Sequence, residues 1–284
     1  MNRKKYSIDW STAMKKIDKQ NNSKANYKDE RIYYPKLKDD GTGEAVIRFL
    51  PAPDTEVPFA LTYSHGFRDI GGWMIEGCPT TIAGKQCPVC KANTIAWKAG
   101  DEETARQRAR KTHYYANILV VKDPQTPENE GKVFLFKYGK KIGGKIMDQI
   151  QPPSGGIDEP VMVFDWYEGA DFKLKIKKVK TGNTSYPNYD ESQFIAPKAL
   201  TEKKIEEIET TRYNILEFFA EDKFKPYAEL EAQLARVLNT DVPATGTAQK
   251  SGSENVTEQA DESAPTEKVF DEDDDTFFEN LEKS

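Results

Sequence analysis

The chain carries only two histidines and three cysteines, and His65 falls in one short segment with all three cysteines, Cys78, Cys87 and Cys90. Imidazole and thiolate are ligands that zinc prefers, and the spacing His-x12-Cys-x8-Cys-x2-Cys supplies four of them. A Cys-x2-Cys turn lets two thiolates converge on one ion, and Gly77 and Gly84 permit tight turns around it. Four ligands fill a tetrahedron and leave no position for a reacting water, so the expectation is one structural Zn2+. The plain alternative is a set of unrelated buried thiols beside a surface histidine. An odd number of cysteines argues against a disulfide framework.

Two enzymatic patterns come close and fail. Zinc deaminases combine His-x-Glu with Pro-Cys-x-x-Cys, but Gly66 and Phe67 follow His65, and Gln86 precedes Cys87. "GKKIGGKI" contains Gly139-x4-Gly144-Lys145, near to a phosphate-binding loop, yet Ile146 stands where a magnesium-binding hydroxyl belongs. The pattern also predicts no clear helix behind it. The chain is therefore expected not to be an enzyme. A zinc-dependent nucleic-acid enzyme and a zinc-ribbon RNA-binding or transcription adaptor remain the rival readings.

These groups need elements to position them. At 284 residues the chain suits about two domains, or one large domain with appended segments. Its charge is uneven. Residues 244–284 hold twelve Asp/Glu against three Lys, a net of −9 within a total of −6, which leaves +3 on residues 1–243. The first 28 residues have eight Lys/Arg and two Asp. A basic arm, a mildly basic body and an acidic tail point to a polyanionic partner and a tail that competes for the same surface. A merely solvating tail is the alternative. No run approaches the ~18 apolar residues of a membrane span, and "MNRKKYSIDWSTAMKK" lacks an apolar signal core. The expectation is an intracellular protein, neither secreted nor membrane-bound.

Residues 1–24 have helical potential around Trp10, Met14 and Ile17. From there to about residue 195 the pattern is strand-like: "GEAVIRFLP", "HYYANILVV", "KVFLFKYG", "VMVFDWY" and "FKLKIKKV". In the last, Phe172, Leu174 and Ile176 alternate with Lys173, Lys175 and Lys177, which predicts a half-buried strand with a basic face. Several such strands suggest a small barrel. "DEETARQRARK" reads as a surface helix or loop, residues 201–220 as a helix, and a further helix begins near Pro226. The segment after Asn239 has linker composition and is read as disordered. Within the tail, Phe270, Phe277, Phe278 and Leu281 interrupt the acid and read as anchors for a partner's groove.

Aromatics stand beside cations in "RARKTHYYANI", "FLFKYGKK", "DWYEGADFKLK" and "TSYPNYDESQF". Aromatic faces stack on unpaired bases while Lys and Arg neutralise phosphates, so the combination suits single-stranded nucleic acid. Ordinary core aromatics with solvated lysines are the alternative. His113 reads as a structural or DNA-facing polar residue. With the runs "AVIRFLP", "ANILVVKDPQTPENEGKVF", "NYDESQF" and "DKFK" and the His/Cys cluster, the chain resembles the helix-destabilising single-stranded DNA-binding proteins of T-even-like bacteriophages over about residues 1–240.

That resemblance implies a mainly β fold with flanking helices: an OB-fold barrel core with a zinc-bound subdomain. It implies a basic arm at 1–24, a core at 25–240 with the zinc subdomain near 60–95, and a linker and acidic tail at 241–284. Arg3, Lys4 and Lys5 would serve self-association along DNA, and the tail would recruit replisome proteins (polymerase, helicase loader, primase-helicase). For DNA contact it points to Tyr115, Phe136, Tyr186 and Tyr189, with Arg48, Arg110, Lys111 and Lys137 as phosphate partners. Tyr115 stands where the family places a tryptophan, and Ala105 where it places an aromatic. The setting implied is the host cytoplasm of an infected bacterium.

Overall fold

The computed structural model describes residues 29–240 apart from residues 54, 155, 157, 158, 182 and 183. The expectations for the arm and the tail, including Arg3, Lys4, Lys5, Phe270, Phe277, Phe278 and Leu281, lie outside the described residues. Eight strands carry the fold: β1 (Thr42–Phe49), β2 (Phe59–Asp69), β3 (Gly72–Gly77), β4 (Lys111–Lys122), β5 (Val133–Tyr138), β6 (Ala170–Thr181), β7 (Thr184–Asn188) and β8 (Gln193–Pro197). The helices are α1 (Pro88–Lys98), α2 (Glu102–Gln107), α3 (Lys140–Ile150), α4 (Glu202–Ile208) and α5 (Tyr227–Val237).

Alternation decides which faces are buried. Phe172, Leu174 and Ile176 of β6 point inward, as the sequence predicts, and meet Ala45, Ile47 and Phe49 of β1. The main core is largely aromatic. Phe49 packs edge-on against Phe164 and Tyr138 at centroid distances of 5.5 and 5.7 Å, and Phe172 lies 4.7 Å from Phe194. Many rings that the sequence places beside cations are therefore packing groups: Tyr138 is buried, and Tyr114, Tyr189 and Phe194 rest on the same core.

The expected OB barrel is not what these strands build. Their pairings are antiparallel and follow an open path, β3-β2-β4-β1-β6-β7, with β5 beside β4 and β8 beside β6. Among the described residues no pairing joins β3 to β7, so the sheet does not close. The lengths of β4 and β6 explain this, for each runs 12 residues and hosts two partners in succession along one edge. β4 gives one edge first to β2 and then to β1, and the other to β5. The sheet branches where a barrel would have to close on itself. The architecture is a mixed one, an open sheet with helices.

Two further expectations are corrected. The helix predicted for 201–220 stops at Ile208, and Ile215–Phe219 forms a separate 3-10 segment. A helix, α3, does follow the "GKKIGGKI" glycines, with Gly139 as its N-cap. It serves packing: Ile142 and Ile146 are core residues, and a Cβ at Gly143 would sit 3.0 Å from the Tyr114 ring. Lys145 is committed to the Asp190 carbonyl at 2.9 Å.

A second, smaller core lies between the β2–β3 hairpin, α1 and α5. It gathers Phe67, Met74, Val89, Leu230, Leu234 and Val237 around Cys78 and Cys87. Pro226, at the predicted helix start, is the N-cap of α5.

Candidate metal centre and binding face

β2 turns His65 to the same side as Tyr63 and Phe67, toward the smaller core. Cys78 follows the last residue of β3, and its N–H donates to the Tyr63 carbonyl at 2.8 Å. Cys87 is the N-cap of α1, with Pro88 preset for the first helical position, and Cys90 lies in the first turn. A hairpin thus supplies two ligands and a helix start the other two. Their donor atoms lie within 4.8 Å of one another, and three of the four residues are buried.

The spacing within the cluster suits a small tetrahedral ion. His65 Nε2 is 3.4 Å from Cys87 Sγ and 3.5 Å from Cys90 Sγ, and Cys78 Sγ is 3.5 Å from Cys90 Sγ. A tetrahedron with Zn–S arms of about 2.3 Å and Zn–N arms of about 2.0 Å sets S···S near ~3.8 Å and S···N near ~3.5 Å. Electrostatics point the same way. Hydrogen bonds from Cys87 and Cys90 hold the Cys78 thiol far below its ordinary range, while Cys78 and Cys87 drive Cys90 up. Three sulfurs this close cannot all be thiolates without a cation among them. Burial opposes charge on His65, but the Cys78 and Cys87 sulfurs outweigh it and raise its pKa to about 9. His65 Nδ1 has no partner among the described residues. The Thr80 hydroxyl, 3.0 Å from Cys78 Sγ, was not read from the sequence; a Thr two residues after a ligand cysteine is its only signal.

The opposite face of the sheet carries a small apolar cluster, Ala60, Leu135 and Ile215, with basic residues beside it. Directly opposed residues on antiparallel strands share a face, and the register pairs Tyr115 with Lys137 and Ala60, His113 with Thr62, and Lys111 with Ser64. The Ser64 hydroxyl and His113 Nε2 are 2.8 Å apart, which ties β2 to β4 on that face. Burial, then the charges of Lys137 and Lys111, push the His113 pKa down to about 3. Tyr115 also stacks on Phe218, centroids 4.1 Å apart. Phe218 lies more than a hundred positions further along, and no local signal connects the two.

The expected DNA contacts do not all belong to this face. Lys111, Tyr115 and Lys137 do. Arg110 sits on the metal side, its guanidinium 3.9 Å over the Tyr63 ring and donating to Thr80 Oγ1 at 3.0 Å. Tyr186 opposes Val179 near the far end of the sheet, and Tyr189 packs on the main core. Two need correction. Arg48 is 0% exposed, donating to the Asp165 carbonyl at 3.0 Å and facing Asp171 at 3.5 Å. Phe136 is 4% exposed and packs against Phe49 and Tyr33. Neither can reach a phosphate or a base while the core is intact. Ala105 is buried as well. No helix among the described residues is long and apolar enough to cross a membrane.

The family model described as gp32 DNA binding protein like matches residues 41–238. The single-stranded DNA-binding protein of Enterobacteria phage T4 is 37% identical over 250 residues, covering 85% of this chain and 81% of that protein. The single-stranded DNA-binding protein of Enterobacteria phage T2 is 40% identical over 213 residues, covering 72% and 69%. A match this long includes both the metal cluster and the basic face, and its family is one of binding proteins rather than enzymes. By sequence and by the extent of the match, this chain belongs to the gp32 DNA binding protein like family.

Proposed function

We propose that the chain binds and coats single-stranded DNA in phage replication, recombination and repair, without catalysing a reaction. One observation carries the reading: over 85% of its length the chain is 37% identical to a protein named for binding single-stranded DNA. The face bearing Lys111, Tyr115 and Lys137 supports it, since an aromatic ring flanked by cations suits unpaired bases and their phosphates. Arg110, Tyr186 and Tyr189 stay in this reading as contacts away from that face, and Arg48 and Phe136 are removed from it. His65, Cys78, Cys87 and Cys90 would hold one Zn2+, which would tie the hairpin to α1 and do no chemistry on DNA.

In this reading residues 1–24 associate neighbouring copies through Arg3, Lys4 and Lys5. Residues 25–240 bind DNA, and residues 241–284 meet replication proteins through Phe270, Phe277, Phe278 and Leu281. The protein acts in the cytoplasm of the infected host.

The test is titration of the full chain with oligo-dT, matched duplex and matched RNA at several salt concentrations. Tight binding to the single strand is expected, with log K falling by about 0.7 per neutralised phosphate against log salt. Equal affinity for duplex would refute the reading. A preference for RNA would favour the adaptor instead.

A further inference from the structure

We infer that the DNA track continues past Lys111 to the tip of the β2–β3 hairpin, where Trp73 offers a stacking platform and Arg68 a phosphate contact. This rests on the single-stranded DNA reading above and extends it to residues outside the contacts assigned there.

The register places the tip on the same face. Counting along β2, Ala60 opposes Tyr115, Thr62 opposes His113, Ser64 opposes Lys111, and Arg68 opposes Trp73 on the far side. These alternate residues share one side of the strand. Eight residues at about 3.3 Å each put the Trp73 row ~26 Å from the Tyr115 row. Along this face β2, β3, β4 and β5 present Lys137, Lys111 and Arg68 and no carboxylate. Asp69, at the hairpin turn, is neutralised by Arg108 at 2.7 Å.

A strap of chain crosses the face but leaves this path open. It stacks Phe218 on Tyr115, and it brings the Phe224 ring to 3.2 Å from where a Cβ on Gly77 would stand. It therefore runs diagonally from the Tyr115 row to the end of β3 remote from the tip. Lys137, His113, Lys111, Arg68 and Trp73 all lie on one side of that diagonal. Two of its three acids, Glu217 and Glu221, are engaged by Arg31 and Lys85, and the third, Asp222, is followed directly by Lys223.

The tip is held rigidly while its large side chains remain partly or largely exposed. Trp73 is 46% exposed and Ile70 85% exposed. Behind them Phe67 and Met74 are buried in the smaller core. The Gly71 N–H donates to the Val237 carbonyl at 2.8 Å, and a Cβ there would come within 1.9 Å of the Arg236 carbonyl. α5 and the Asp69–Arg108 pair thus fix the turn from two sides. A half-exposed indole held among strand positions that carry cations and no carboxylate is what an unpaired base stacks on, and the Arg68 guanidinium, 5.9 Å over that ring, is placed for the adjoining phosphate. A protein partner would need to bring its own acids to this face; single-stranded DNA carries them throughout.

The experiment uses the full chain with oligo-dT long enough to span the track. Trp73→Ala should weaken binding roughly 5- to 150-fold, the range for losing one stacked base, while Trp73→Phe keeps most of the affinity. Arg68→Gln should lower the salt slope by about 0.7. Wild type should show more tryptophan quenching on binding than Trp73→Phe does, a comparison that survives if the alanine variant folds poorly. If wild type binds and Trp73→Ala binds equally well, or if quenching is the same in wild type and Trp73→Phe, the inference is overturned and the general reading stands. If wild type fails to bind single strands, the general reading falls with it.

Discussion

Replacing Arg48 by methionine separates a buried strut from a DNA contact. The substitution keeps most of the stem and removes the charge. It leaves the Asp165 carbonyl without its donor at 3.0 Å and Asp171 without its countercharge at 3.5 Å. Burial already lowers the Arg48 pKa against the pull of Asp171, so the cation is held at a cost and its partners depend on it. Breaking a buried ion pair from one side costs about 3–5 kcal/mol. The Asp171 side chain is 16% exposed and can be partly hydrated, which puts the loss near the lower end, ~3 kcal/mol. For a body of this size each kcal/mol lowers Tm by about 2–4 °C, so Tm should fall by about 6–12 °C. Thermal unfolding by circular dichroism measures this, and a salt titration of oligo-dT binding well below Tm measures the other arm. The folded variant should keep the wild-type salt slope. An unchanged Tm with a slope reduced by about 0.7 would refute the argument and return Arg48 to the phosphates.

Three other perturbations test different parts of the molecule. Cys87→Ser should lose about one equivalent of zinc by metal analysis, become protease-sensitive around residues 65–95 and bind DNA more weakly; full zinc retention with unchanged Tm would remove the metal centre. His113 titrates near 6.5 when unfolded but at about 3 when folded. The unfolded chain therefore binds the extra proton, and the contribution is present above pH 6.5 and lost as pH falls toward 3. His113→Gln should flatten the stability–pH curve in that window relative to wild type, and parallel curves would contradict the assignment. Removing residues 244–284, which carry a net −9, should strengthen DNA binding at low salt with a gain that shrinks as salt rises. Identical affinities at every salt concentration would leave the tail no masking role.

Local chemistry is legible in this sequence, and closure in space is not. The Cys-x2-Cys pair and the nearby Cys and His meet because a hairpin and a helix start are short-range structures that spacing can specify. The inward set Phe172, Leu174 and Ile176 follows from the period of a strand. Whether strands close into a barrel depends on which edge each partner takes. β4 and β6 are long enough to take two partners on one edge, and nothing in their residue pattern says where one ends and the next begins. Arg48 and Phe136 fail for a related reason. Alternation gives the side of a strand but not what covers that side, and Trp166, whose carbonyl faces Arg48 at 3.5 Å, is remote in sequence.

The runs on which the resemblance rests owe their polar residues to the scaffold. In "AVIRFLP" the arginine is the buried strut just described. In "ANILVVKDPQTPENEGKVF", Asn117 exchanges two hydrogen bonds with the Tyr213 backbone, at 2.9 and 2.8 Å, and so anchors the start of the strap that carries Phe218 onto Tyr115. Asp123 accepts from the Tyr33 hydroxyl at 2.8 Å and from Thr126, closing the loop between β4 and β5. In "NYDESQF" the buried Ser192 hydroxyl donates to the Lys175 carbonyl and accepts from the Lys175 N–H, both at 2.9 Å, joining the turn before β8 to β6. Each is a polar group removed from water with its partners supplied, and losing one partner costs more than the bond itself contributes. The groups that would meet DNA need only be cationic or aromatic and held on the right side of a strand, a looser demand than burial makes. Substitution there, at Tyr115 for example, should shift affinity while leaving the fold intact. The same freedom allows a residue such as Trp73 to extend the track with no motif to announce it.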